Sequence, residues 1–429
     1  MPGPSRQPPT RVRRARTGVG VLFFTNGALF SNLLPRYPEI KADLELTNAA
    51  FGFAVAAFPL GALIAGLTAG VLVRRFRSSR VAIVATALTA IGILLAGVAP
   101  VWVALAAGLF LAGAMDSITD VAQNSHGLRV QRLYQRSILN SFHAVWSVGA
   151  VCGGILGALA AQLAIPLFAH LTASAVLFSL MALVAYRLLL DGPEPSEVTP
   201  FLPPESSRPK TAGRTMGSLA KYAVLAALVL IAASGAVVED AGSSWSAIYL
   251  SNSLGASAFI AGVGFIALQG MQFVGRIFGD RLVDRFGQRA VARTGGVIVF
   301  VGMGVALIFP TIVGTVIGLG LAGLGVATLI PAAMHAANEL PGFKPGTGLT
   351  IVSWLLRVGF LLSPPLVGAI ADASSLRFGL LIVPAAGLLV VLFAPVLAKV
   401  VHRPRSNCPA DPEPHPDVTG LHDQAHPRA

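Results

Sequence analysis

The sequence predicts an all-α membrane protein: twelve transmembrane helices in two pseudo-symmetric six-helix halves. Three observations carry that prediction. The first is composition. Of 429 residues, 54% are hydrophobic and only 12% charged, with mean hydropathy +0.73, where a soluble protein carries roughly 25% charged residues. A bilayer core needs roughly 20 apolar residues per helix, and twelve such stretches can be drawn along the chain. The second is a repeat at a constant offset of 210 residues. Arg75-Phe76 recurs as Arg285-Phe286, Pro100 as Pro310, and Gly108–Gly113 as Gly318–Gly323. Internally repeated membrane bundles are characteristic of transporters, with the site at the repeat interface.

The third is the distribution of the +12 net charge. Arg6, Arg11, Arg13, Arg14 and Arg16 precede the first stretch; Arg74, Arg75, Arg77 and Arg80 follow the second. Arg129, Arg132 and Arg136 follow the fourth; Arg208, Lys210, Arg214 and Lys221 sit in the middle loop; Arg281, Arg285, Arg289 and Arg293 follow the eighth. The alternate loops hold Arg36, Lys41 and Arg377. This positive-inside bias places both termini in the cytoplasm and the chain in the cell (inner) membrane. It accounts for the basicity without nucleic acid as a partner.

Taken in order, residues 1–16 are rich in Pro and Arg and are expected to be disordered. The spans are predicted at 17–34, 49–73, 81–99, 102–124, 141–163 and 167–189, then 219–240, 257–279, 290–309, 311–334, 349–371 and 376–398. The first half is therefore 17–189 and the second 219–398. The Pro-rich 190–218 is a hydrophilic linker, and 399–429 a solvated tail. The run Val19 to Leu34 follows basic residues like a leader, but no small-residue cleavage site follows it, so it reads as a retained helix. Tyr37, Ile40, Leu44 and Leu46 alternate with acids and Lys41 as in a short interfacial helix. Gly66 with Gly70, and Gly149, Gly153 and Gly157, lie four apart, the spacing that lets helix backbones approach in lipid.

Ionisable residues within a span cost roughly 2.5–3.5 kcal/mol each to insert, so each must be hydrated, paired or functional. Asp116, Asp120 and Asn124 are spaced four apart and share one face of the fourth span. Their partners at the repeat offset include Val326 and Ile330, so repeat packing does not require the acids. A carboxylate held out of water can take up and release a proton. The alternatives are a structural ion pair with an arginine, or a water-exposed helix end, since Asp120 lies about 27 Å along the axis from Trp102. Glu239-Asp240-Ala-Gly at the close of the seventh span reads as a broken helix beside a cavity, or as an acidic helix end. Arg357, deep in the eleventh span, can bind an anion or neutralise Asp120 or Glu239. Trp354 lies a turn away and can stack on a ring. Gln269, Gln272 and Arg276 line the eighth span; Asn26 and Asn32 belong to the first, and Asn140, His143 and Trp146 to the fifth. His335, Asn338 and Glu339 read as a hydrated helix end. No phosphate-binding loop or catalytic triad is legible. Neither a metal nor a cofactor is expected, and an enzyme is not.

One loop carries a family resemblance. Gly70-Val-Leu-Val-Arg74-Arg75-Phe-Arg77-Ser-Ser-Arg80, and Asp280-Arg-Leu-Val-Asp284-Arg285-Phe-Gly287-Gln-Arg289 in the second half, resemble the loop between helices two and three of the major facilitator superfamily. The resemblance spans residues 17–398. It implies two halves rocking about a central site, with this loop latching them by charge pairing at the cytoplasmic side. The first copy departs from the pattern, with Arg74 in the acid's place and Arg77 in the glycine's, so the latch would rest on Asp284. Within the family, Phe23-Phe24-Thr-Asn26-Gly27 and Asp120-Val-Ala-Gln-Asn124 are similar to the bacterial fucose-permease-like group. That implies a proton carrier at Asp120 alone; the placement of Asp116 on the same face and of Arg357 in the eleventh span adds them as its aid and its modulator. The group's first-helix aspartate is missing near Leu34, and the exporter pattern is incomplete around Gly149–Ala158. The expectation is a monomeric, proton-coupled carrier of a small polar, sugar-like solute in the lipid bilayer. Export of drugs or metabolites, and a non-transporting receptor or structural protein, are the alternatives.

Overall fold

The structure is a computed structural model that describes residues 9–134, 138–192, 218–341, 343 and 346–397. Among the described residues, twelve helical spans are long and apolar enough to cross a membrane. They are Thr10–Asp43, Asn48–Phe76, Ser78–Gly97, Trp102–Tyr134, Leu139–Gln162 and Leu167–Tyr186, then Leu219–Ser253, Ala258–Phe286, Gln288–Ile308, Ile312–Asn338, Thr347–Ala373 and Leu376–Val396. An even number of crossings returns the chain to the side on which it began. The side that holds Thr10 and Val396 is called the terminal end below, and the other the far end. The linker over 193–217 and the tail beyond 397 lie outside the described residues.

Several helices outrun their sequence-predicted limits. The first begins at Thr10, so 10–16 is helical rather than disordered, with Val12 and Ala15 buried. The arginines there are good helix formers. Arg16 also donates to the Tyr134 hydroxyl at 3.1 Å, and Arg11 pairs with Asp191 at 3.2 Å. The fourth continues ten residues past Asn124 to Tyr134. Its hydropathy fades there because this end carries His126, Arg129 and Arg132, but its backbone hydrogen bonds do not stop. Tyr37–Asp43 is a helix, as the pattern predicts, although Tyr37 and Ile40 are buried in the bundle rather than spread on an interface.

The seventh helix is not broken after Asp240. It is continuous from Ser218 to Ile248 and closes in a π turn at Tyr249–Ser253. Gly242 sits inside it, against Leu268, where its missing side chain leaves room for the eighth span. The interruption occurs instead in the tenth span, between Ile312–Val326 and Leu329–Asn338. Pro331 has no N–H to offer the carbonyl four residues earlier, at Ala327, and its ring crowds that turn.

The glycine spacing works as predicted on the fifth span. A Cβ on Gly149, Gly153 or Gly157 would collide with the carbonyls of Phe24, Ala28 and Asn32, one turn after another along the first span. In a bilayer no hydrophobic force joins helices, so this close backbone approach is what binds the pair. Gly66 approaches Ser117 of the fourth span, whereas Gly70 meets the tip of Arg74 and no neighbouring helix. Across the two halves, the second span packs on the eleventh and the fifth on the eighth. Gly153→Ile should lower the stability of the purified protein by about 1–3 kcal/mol through overpacking, read as a lower Tm in detergent. Gly304→Ala, where nothing lies within 4 Å of a new methyl group, should leave it unchanged.

Candidate functional site

The fourth span presents Asp116, Asp120, Gln123 and Asn124 on one side, and the first and fifth spans close over them. Asn26 is the hub. Its Nδ2 donates to Asp116 Oδ1 at 2.6 Å, and its Oδ1 accepts from Trp146 Nε1 at 2.8 Å and from Gln123 Nε2 at 3.4 Å. Asp120 Oδ1 accepts from Asn124 Nδ2 at 2.9 Å and from Gln123 Nε2 at 3.4 Å. One connected network therefore spans three helices. The next residue, Gly27, lies so close to the Trp146 carbonyl that no side chain fits, and this close approach sets Asn26 against the fifth span.

Asp116 is half-buried and Asp120 exposed. The extended fourth helix leaves Asp120 14 residues short of Tyr134, about 21 Å at 1.5 Å per residue. It therefore lies inside the helix rather than at its last turn. His143 and Arg357 are close enough for charge interaction with Asp120. Arg357 comes from the other half and reaches the second span, where a Cβ on Gly66 would lie 3.6 Å from its Nη1.

The second half answers with its own cluster. Gln272 Nε2 donates to Glu239 Oε2 at 2.8 Å, and Arg276 Nη2 stands 4.0 Å from the same oxygen. Arg276 also interacts electrostatically with His143. Across the halves, Asp120 thus stands within charge range of Arg357, and His143 within charge range of Arg276. Three amide oxygens, on Gln123, Gln269 and Gln272, are buried and lack a hydrogen-bond donor among the described residues. A cavity of about 620 Å³ opens at the terminal end on the first and fifth helices, lined by Arg16, Gly20, Phe24, Tyr134, Phe142 and Val145. No residue of the polar network lines it.

Other expected residues stand apart. The Asp240 carboxyl lies within the second half, its Oδ2 buried, beside the hydroxyls of Ser244 and Ser363. Trp354 is 43% exposed and makes no named polar contact. Asn32 belongs to a separate far-end network: its Oδ1 meets His170 Nε2 at 2.9 Å, and buried Arg36 holds Glu39 at 2.7 Å. His335 and Glu339 form an exposed pair at 3.7 Å, as a hydrated helix end should. In the loop motifs, Arg74, Arg75, Asp280, Asp284 and Arg285 are exposed. Neither Asp280 nor Asp284 has a hydrogen-bond or ion-pair partner among the described residues. Arg289 instead caps the twelfth span's end through the carbonyls of Leu397, at 3.0 Å, and Pro395, and Gly287 supplies the positive φ of +83° between the eighth and ninth spans. No group of three or more metal-ligating side chains exists among the described residues. Gln123 is a network member that the sequence reading passes over, although it lies three residues from Asp120 on the same helical face.

The model of the Major Facilitator Superfamily matches residues 19–278 and again 240–426. The chain belongs to that superfamily. The double match echoes the internal repeat, and the family is one of transporters, not enzymes. An uncharacterized transporter of Sinorhizobium fredii, y4wD, is 30% identical over 380 residues, covering 89% of this chain and 97% of its own. The enterobactin exporter EntS of Shigella flexneri is 28% identical over 128 residues, 30% of either chain. Among solved structures, that of the nucleoside transporter NupG superposes with a TM-score of 0.69 at 13% identity, covering 89% of this chain and 99% of its own. The superposition shows the shared fold.

Removing the hub should be felt through every member of the network. Asn26→Leu leaves the Asp116 carboxylate and the Trp146 indole without their partner, and should lower stability by about 1–3 kcal/mol. Thermal unfolding followed by tryptophan fluorescence measures this.

Proposed function

We propose that the chain is a proton-coupled carrier that moves a small polar, sugar-like solute by alternating access, working as a monomer in the cell (inner) membrane. Both termini, the linker over 190–218 and the tail over 399–429 face the cytoplasm, following the arginine bias. On that assignment the terminal end is the cytoplasmic one, and the conformation described is open inward.

One observation carries the reading: Asp116 and Asp120 share one amide network on the fourth span, and Asp120, which is exposed, stands within charge range of Arg357 from the opposite half. Asp120 is the proton carrier. Protonating it removes the charge that faces Arg357 and His143, which changes how strongly the two walls attract one another. That couples proton binding to the rocking of the halves. Asp116 shares the network through Asn26, and Arg357 tunes Asp120 from the other side. The cargo chemistry follows from the lining. Neutral amides on Asn26, Asn124, Gln269 and Gln272, the last two with oxygens that lack a donor among the described residues, and the indole of Trp146 suit a solute rich in hydroxyls. Glu239 and Asp240, Trp354 and His143 complete the candidate walls. The acid and asparagine at positions 120 and 124 support kinship with fucose-permease-like carriers. NupG, which shares the fold, is a nucleoside transporter, and a nucleoside contains a sugar ring. Once the halves close at the terminal end, Asp284 and Arg285 become the latch that holds them.

Export is the second reading, favoured by the partial likeness to the exporter EntS. The same bundle serves either direction under a different gradient.

The test is transport in proteoliposomes with an internal pH dye, screened against sugars, polyols, organic acids and siderophore-like catechols. One solute should move protons with it, and Asp120→Asn should reduce that flux at least tenfold while the protein stays folded. Uphill accumulation with the inward gradient supports import; solute-driven counterflow of protons supports export. A full-rate proton-coupled flux in Asp120→Asn would refute the carrier assigned here.

A further inference from the structure

The halves meet at the far end, and there each half caps a helix of the other. Asp372, near the end of the eleventh span, accepts from the backbone N–H groups of Asn48 at 2.9 Å and Ala49 at 2.8 Å, and from Asn48 Nδ2 at 2.9 Å. These are the first N–H groups of the second span, which have no intrahelical acceptor. Its own N-cap, Thr47, serves Ala50 at 3.2 Å. In the other direction, Gln162 Oε1, at the end of the fifth span, accepts from the N–H of Phe259 at 3.0 Å. Phe259 opens the eighth span, whose own N-cap residue, Ser257, makes no side-chain cap.

These two contacts are repeat copies of one another. Position 162 plus 210 is 372, and position 49 plus 210 is 259. The packing beneath them repeats too. Gly52 lies against the backbone of Pro364 and Pro365, and its repeat partner Gly262 lies against Ala158, with no room at either for a Cβ. Gly368, the copy of Ala158, lies against the Asn48 carbonyl. The symmetry is broken in one respect. The cap on the second span is a carboxylate, which satisfies two backbone donors and meets the positive end of the helix dipole; the cap on the eighth is a neutral amide that satisfies one.

We propose that Asp372 and Gln162 are repeat-related positioning residues that hold the far end shut by capping helix N-termini of the opposite half, and that Asp372 is the stronger of the two. Opening the far end separates the second span from the eleventh and the fifth from the eighth. Both caps are then lost, and the freed N–H groups turn to water. The strength of the caps sets the balance between the two open states. This rests on the two halves moving relative to one another, not on which solute or ion is carried.

Ala158 offers a readout. It is fully buried, and its Cβ packs on Gly262 across the fifth–eighth seam beneath the Gln162 cap. In a Cys152→Ala, Cys408→Ala background, Ala158→Cys should react with a membrane-impermeant maleimide only while the far end is open. Adding Asp372→Ala should raise that rate roughly tenfold, the order expected for losing a helix cap at two N–H groups. Asp372→Asn should give a smaller rise. Gln162→Glu, which places a charge at the opposite N-terminus, should slow the reaction below the parent. Opposite shifts for the two positions are the signature, because mere loosening of the fold would speed both. Equal rates in parent, Asp372→Asn and Gln162→Glu would overturn the proposal, as would acceleration by Gln162→Glu. Should Asp372→Ala fail to give a monodisperse protein, the other two variants decide. The readout is conformational, so it stands even if the proton assignment to Asp120 fails.

Discussion

Hydrocarbon neither hydrates a charge nor supplies a hydrogen bond, and the rest of this structure depends on that. Every helix must satisfy its own backbone, and every ionisable side chain at depth must find protein or water. The fourth span carries Asp116 and Asp120, the seventh Glu239, the eighth Arg276 and the eleventh Arg357, and the surface between the halves takes them. The cleft is thus the place where all helices with polar faces can be satisfied at once, and lipid receives the leucine, valine and phenylalanine that make up most of the exposed apolar surface.

The same constraint explains why the halves are close yet separable. With no hydrophobic drive between helices, contact depends on small residues and on backbone polar groups. Within a half, Gly149, Gly153 and Gly157 lock the fifth span on the first along its length. Between halves, glycine contacts and capping hydrogen bonds gather at the far end, where the second span meets the eleventh and the fifth meets the eighth. The opposing charges of the cleft stand further towards the terminal end. A seam of short-range contacts at one end and attraction across a gap at the middle is an arrangement with two ways of closing.

Much of this was legible in the sequence, because twelve apolar runs and a constant 210-residue offset are long-range signals that local detail does not blur. Helix ends were less legible. Hydropathy reports where lipid stops, not where hydrogen bonding stops, so the charged extension from Ser125 to Tyr134 has no hydropathy signal. Glycine after acids suggested a break at Gly242, but its role is to admit Leu268; the real break, before Pro331, has a plainer signal in the proline. The polar candidates on the first, fourth and fifth spans converge on one network, since helical spacing fixes which residues share a face. Spacing within one helix says nothing of partners on another. The hub role of Asn26, the burial of Gln123 and the paired caps at 162 and 372 therefore needed the assembled bundle.

The account's central claim is that the halves pivot about the cleft. The direct measurement is the distribution of distances between spin labels at Arg80 and Arg293, exposed positions on opposite halves at the terminal end, in nanodiscs across a range of pH. The account predicts two resolved distances whose populations exchange as pH changes. A single distance, unmoved by pH and by the whole solute panel, would contradict it.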